Sequence, residues 1–210
     1  MKTAILHLAC LCLLVSQPLR AADLQLDESI RDIVPAGQVK NLGSAEQTIL
    51  AILAKHANSS DAETARAASE IQTLLKAPRI EMASRDKLAG KWKVRSLQLT
   101  DGGLSTYPYF DCSLTAEAVT GLKLSKNTGS QRRAGNLFKH DKTALLFLGG
   151  SYYSDQSPRG FSGLQDESVK LDPSLDSIGF LHQLAPGHLI ILFASTQYGG
   201  EIYELKRNGK

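Results

Sequence analysis

The feature that most constrains this chain is a change of grammar at Gly90-Lys91-Trp92. Before it, apolar residues recur at helical spacing among alanines. After it, nearly everything is a short alternating run punctuated by Gly, Asn, Asp or Pro. The break predicts a helical segment followed by a small all-β module that opens on the chain's one tryptophan.

The first residues read as a leader. Lys2 gives a positive start, Ala4 to Val15 an apolar stretch, and Leu19-Arg20-Ala21-Ala22 a small-residue boundary. That stretch is too short to span a bilayer, so residues 1–22 are expected to be a cleaved signal peptide of a periplasmic or secreted protein. Cys10 and Cys12 would leave with it, and so would Lys2 and Arg20. The remainder holds 22 of the 24 basic residues against 21 acidic ones, which argues against a nucleic-acid partner. No other apolar run is long enough for a transmembrane segment. Cys112 alone stays, so no internal disulfide forms, and its parity with Phe110 and Leu114 suggests a small buried hydrophobe.

Residues 23–89 read as an arm and a helical hairpin. The arm, 23–43, is loose, with a short helix that begins near Asp27-Glu28-Ser29 and stops before Pro35-Ala36-Gly37. Ser44-x-x-Gln47 and Ser60-x-x-Glu63 are capping-box patterns. Ile49, Leu50 and Leu53 face one way from the first helix, and Ala67, Ala68, Ile71, Leu74 and Leu75 from the second, which Pro78 closes. Residues 90–210 carry about eight strand candidates, at 91–99, 106–115, 119–125, 131–139, 143–149, 177–184, 188–196 and 201–207. Short Gly- and Asn-bearing turns between them favour an up-and-down antiparallel barrel. The predicted fold is therefore mainly β (α+β), a barrel preceded by a helical hairpin. Leu145 to Leu148 and Leu189 to Phe193 are apolar on both faces, so the helices are expected to cover the barrel outside. The Ser-, Gly-, Asp- and Pro-rich stretch 151–176 is one long irregular insertion.

Trp92, two residues after Gly90, and Arg207 at the end of the last strand candidate resemble the closure of lipocalin-like barrels, in which an Arg lies across the Trp that seals one end. Tyr107-Pro108-Tyr109-Phe110 and Thr128-Gly129-Ser130-Gln131-Arg132-Arg133 add a second resemblance, together with Phe147-Leu148-Gly149-Gly150 and Glu201-Ile202-Tyr203-Glu204-Leu205. Over roughly residues 85–207 they are similar to the uncharacterised bacterial family called domain of unknown function 4893. That resemblance implies a small exported protein with a lipocalin-like β-fold. It brings no activity, cofactor or catalytic residue.

The candidate ligand-binding residues come from the strands themselves. Arg132 and Arg133 are neighbours, so one faces in and the other out, and Gln131 shares the facing of Arg133. An inward Arg either pairs with an acid or awaits an anionic group, because an unpaired buried charge is costly. The bland alternative is two arginines at the rim, solvated or paired with Asp111 or Glu204. Tyr107, Tyr109, Tyr152 and Tyr153 are candidates to line the barrel mouth or to cap the core at its rim.

His56, His140, His182 and His188 lack metal-ligand spacing, although His182 and His188 flank one turn, and calcium-loop spacing is absent around Asp166, Glu167, Asp172 and Asp176. No metal or other cofactor is expected. No nucleophile elbow or phosphate loop is present, so the reading leans away from an enzyme. Its first form is a monomeric periplasmic binding module for a small, partly apolar ligand, with an anionic group as one option. A cell-envelope protein-interaction module with a solid barrel, docking through 151–176, is the alternative. A small isomerase or hydrolase is the weakest.

Overall fold

The computed structural model describes residues 26–117, 121–165, 170–194 and 199–207. The predicted leader lies outside the described residues. Nine strands form one antiparallel sheet: β1 (Gly90–Thr100), β2 (Gly103–Thr106), β3 (Phe110–Glu117), β4 (Gly121–Lys126), β5 (Gln131–Lys139), β6 (Ala144–Tyr153), β7 (Asp176–Ala185), β8 (His188–Phe193) and β9 (Gly200–Lys206). β9 pairs back onto β1, from Lys93↔Lys206 to Leu99↔Gly200, so eight strands close a barrel and leave no open seam there. The long β1 serves two neighbours on its other edge. Its first half pairs with β3 and its second half with β2. The expected strand at 106–115 is thus divided: Gly103–Thr106 turns back on β1, and the new strand starts only at Phe110, after Pro108.

Strand alternation fills the lumen. Val94, Phe147, Leu181, Leu189, Phe193 and Leu205 belong to one buried interior cluster that extends down to Trp92. Trp92 is buried, its indole donates to the Leu88 carbonyl at 2.9 Å, and the Arg207 guanidinium lies 4.7 Å from its ring centroid. Arg207 also donates to the carbonyls of Lys87 (2.5 Å) and Ala89 (2.8 Å), which fastens the end of β9 to the residues before β1. This end of the barrel is solid.

The outside is covered twice. Helices α3 (Ala45–Lys55) and α4 (Ala62–Lys76) bury Ile49, Leu53, Ile71 and Leu74 against Leu97, Leu99, Ile190 and Ile202. The arm is not loose. It contains α1 (Glu28–Arg31) and α2 (Ala36–Gly43), and it packs Leu26, Ile30, Val34 and Leu42 on Leu146, Leu148 and Ile178. The two apolar strands therefore have different covers, because the hairpin is too thin to span both. Local stops and starts also differ from expectation. α1 stops before Pro35 as expected, but Pro35 then caps a further helix, α2, that was not expected. Ser44 bonds back to the carbonyls of Lys40 and Asn41, closing α2 instead of capping α3. Asp61, not Ser60, caps α4 by accepting from the Thr64 amide at 2.7 Å. A short helix α5 (Arg85–Leu88) leads into the barrel.

The insertion after β6 is anchored. Phe161 is fully buried in the arm's cluster. The Arg159–Asp176 pair at 2.6 Å is nearly excluded from water, and Asp176 also accepts from the backbone and hydroxyl of Ser162. Two 3-10 turns, Ser162–Leu164 and Pro173–Leu175, complete it.

Candidate binding site at the barrel mouth

Trp92 and Gln98 lie six residues apart on β1, about 20 Å at strand rise. The end away from Trp92 therefore has its own chemistry, and there the inward positions turn polar. Ser96 and Gln98 follow Trp92 and Val94 on β1. Lys126 follows Leu122 and Leu124 on β4, Arg133 precedes Gly135 and Leu137 on β5, and Glu201 precedes Tyr203 and Leu205 on β9. Every one of these charges sits on the parity of core residues, which is the signal that marks them.

Arg133 is the inward arginine, 8 % exposed. Its Nη2 donates to Glu201 Oε2 at 2.9 Å and its Nε to Ser151 Oγ at 3.4 Å. The guanidinium carbon lies 4.0 Å from the Phe193 ring centroid and 4.8 Å from that of Tyr203. Its Nη1 is buried without a hydrogen-bond partner. Burial alone would lower the Arg133 pKa, but the Glu201 charge outweighs it and raises the value further. Glu201 takes a second donor, Ser96 Oγ at 2.7 Å.

Lys126, 6 % exposed, is a second interior cation. Its ammonium donates to the Gln131 carbonyl at 2.7 Å and lies 4.5 Å from the Phe110 ring centroid and 5.9 Å from that of Tyr203. It makes no ion pair with a carboxylate among the described residues. Burial pushes its pKa down, partly opposed by Glu201.

A cavity of about 580 Å³ opens beside Arg133 and Glu201, and Lys126 is not among the residues that line it. Gln98, Gln131, Arg133, Ser151, Ser177 and Glu201 give it a polar side, and Ile178, Phe193 and Ala194 an apolar one. Gln38 and Asn41 of α2 and the turn Pro173–Leu175 form its rim. Its volume lies within the range of small-molecule sites.

The other candidates are placed differently. Arg132 is half-buried, and its Nε donates to the Gly129 carbonyl at 3.1 Å. Tyr152 stands opposite Arg132 in the β5–β6 register and is buried. Tyr107 is exposed at the rim, its hydroxyl 3.4 Å from Gln98 Oε1. Tyr109 leaves the mouth altogether: its hydroxyl donates to Glu204 at 2.7 Å. Neither Asp111 nor Glu204 is the partner of an arginine from the Arg132–Arg133 pair. Asp111 pairs with Lys93 (2.7 Å), and Glu204 collects Arg95 (2.5 Å), His188 (2.7 Å) and Lys206 (2.9 Å) on the barrel's outer side. His182 and His188 do not meet. The first hydrogen-bonds the Thr143 carbonyl, and no metal-holding group occurs among the described residues. The residues that sequence reasoning missed are Lys126 and Glu201 as interior charges, with Ser96, Ser151 and Ser177 beside them.

Two sequence motifs meet here. Gly129 adopts φ +89°, and a side chain there would press on the Phe110 ring. The Asp111 amide donates to Thr128 Oγ1 at 2.8 Å. Tyr-Pro-Tyr-Phe and Gly-Ser-Gln-Arg are therefore two halves of one turn-and-ring contact beside Lys126.

The fold and the mouth define a closed up-and-down antiparallel barrel with one sealed end and one cation-bearing end. The chain belongs to the family described as Domain of unknown function (DUF4893), whose model matches residues 31–202 and so takes in most of the helical cover as well as the barrel. No curated protein matches the chain. A solved structure of a redesigned β-barrel is similar at 12% identity and a TM-score of 0.40, over 60% of this chain and 96% of that one. No described helix is long and apolar enough to cross a membrane.

Proposed function

We propose that the protein is an exported binding module that holds a small, partly apolar ligand with an anionic group in the barrel mouth. The observation that carries this reading is Arg133. It is a buried guanidinium lining a cavity of about 580 Å³, and its Nη1 has no partner. A buried donor left unmade costs free energy, and a ligand acceptor would recover it. Ser151, Ser177, Gln98 and Gln131 offer neutral polar contacts around it, while Phe193 and Ile178 offer apolar surface.

Export rests on the leader at 1–22, which leaves a mature start at Ala22 or Asp23. Native mass spectrometry of protein purified from the periplasm or secreted fraction tests both halves. The expected species is the chain from Ala22 or Asp23 with a small molecule released on activation. An intact Met1 start counts against export, and a bare chain counts against the binding reading.

A further inference from the structure

Resting on that reading, we infer that the ligand is an organic acid that also carries a hydrogen-bond donor, a hydroxyl or an amide N–H, and that Gln38 of α2 accepts from it. The mouth cavity is walled by the barrel and rimmed by α2, and each presents a polar side chain where the pattern calls for an apolar one. On β5 that residue is Arg133, on the parity of Gly135 and Leu137. On α2 it is Gln38, one helical turn before Leu42, and so on the face that buries Leu42 against Leu146, Leu148 and Ile178. Both side chains line the cavity.

The two are complementary in what they lack. Arg133 Nη1 is a buried donor without an acceptor, and Gln38 Oε1 is a buried acceptor without a donor, among the described residues. Each unmade bond costs free energy, and neither atom satisfies the other. A plain carboxylate would answer Arg133 and leave the Gln38 oxygen unpaired beneath it. A molecule with both an acid group and a donor answers both, and it ties the arm to the barrel. Ile178, Phe193 and Ala194 on the same cavity suit the organic chain that carries the two groups. The purely structural view of Gln38 is a rim amide that water satisfies. On that view a hydroxyl added to the ligand gains nothing, because it gives up its own hydration on entering. The two views therefore differ in the sign of the hydroxyl's effect.

The test is calorimetric titration of the mature chain with hexanoate, 2-hydroxyhexanoate and 6-hydroxyhexanoate, which place the donor nowhere, beside the acid group, or at the far end. The expected result is at least fivefold tighter binding of one hydroxy acid than of hexanoate. In Gln38→Leu that advantage should shrink below twofold, while hexanoate keeps its affinity within twofold and the protein melts no lower than the parent. Hexanoate binding as tightly as both hydroxy acids, or an advantage that persists in Gln38→Leu, overturns this inference and leaves the binding reading standing. If none of the three probes binds the parent better than Arg133→Met, the binding reading falls and this inference with it. The comparison of the three acids uses the parent protein alone, so it holds even if Gln38→Leu fails to fold.

Discussion

Arg133 and Glu201 reach each other across the full width of the barrel. β5 and β9 stand four strands apart whichever way the wall is followed, yet Nη2 and Oε2 are 2.9 Å apart. The pair is a cross-brace inside the lumen, and it divides the barrel into a packed lower part and a polar mouth. That division makes the fold and the proposed site separable in experiment.

The packed end is tested by Trp92. Its ring is buried, bonded to Leu88 and covered by Arg207. Trp92→Ala should cost about 3–5 kcal/mol in urea unfolding, as large core aromatics do. A loss under about 1 kcal/mol would mean that the ring does not seal this end.

Gly149 carries the close packing between β5 and β6. It stands opposite Gly135, and a methyl group on it would run into the Ala134 carbonyl oxygen and the Phe147 ring. Gly149→Ala should therefore destabilise by about 3 kcal/mol, the upper part of the usual range for overpacking. Gly37 has nothing nearby, and Gly37→Ala in α2 should be neutral or slightly stabilising. Equal effects of the two in chemical denaturation would contradict this packing.

Acid sensitivity should come in two windows. Burial pushes the Glu204 pKa up, but hydrogen bonds from Lys206, Tyr109 and Arg95 outweigh it and bring the value from 4.5 to about 2. Burial, helped by the Arg79 charge, lowers His182 from 6.5 to about 4. Each folded value lies below the unfolded one. Each group therefore contributes stability above its ordinary pKa and loses it as pH falls, His182 between 6.5 and 4, Glu204 between 4.5 and 2. His182→Asn should flatten the upper window and Glu204→Gln the lower one in denaturant midpoints read against pH. Unchanged slopes in both variants would refute the assignment.

Cys112 should be inert in the native protein. It is buried in the lumen, and burial pushes its thiol up to about 12. Iodoacetamide at pH 8 should label it only after denaturant is added. Rapid native labelling would place it at an open surface.

Much of this was legible in the residues. The turns at Asn127-Thr128-Gly129 and Ala185-Pro186-Gly187 sit where strands end, and residues 131–139 form one strand with the bounds expected. Other features were hidden for physical reasons. Gly103–Thr106 is a strand of four residues, shorter than any period can reveal. Ala134 and Gly135 are small and both buried, which blurs the alternation that would have told Arg132 from Arg133. Asp61 and Ser60 are both good caps, and only the backbone decides between them. Lys126 and Glu201 were readable in principle, since each continues the parity of two inward apolar residues. What no pattern carries is that β5 and β9 end up opposite one another, because that depends on closure.

The most direct test of the central claim contrasts the two neighbouring arginines in ligand retention. Arg133 lines the cavity beside Gln131, whereas Arg132 is outward and bonds only the Gly129 carbonyl among the described residues. Arg132→Met should retain the co-purifying or titrated anion at parental affinity, with stability changed by roughly 0.5 kcal/mol or less. Arg133→Met should lose it at least tenfold and, by stranding Glu201, cost about 3 kcal/mol, which Glu201→Gln in the same chain should largely restore. Native mass spectrometry of the two variants side by side decides it. Ligand lost from Arg133→Met and kept by Arg132→Met is the predicted result, and equal retention by both would contradict the account.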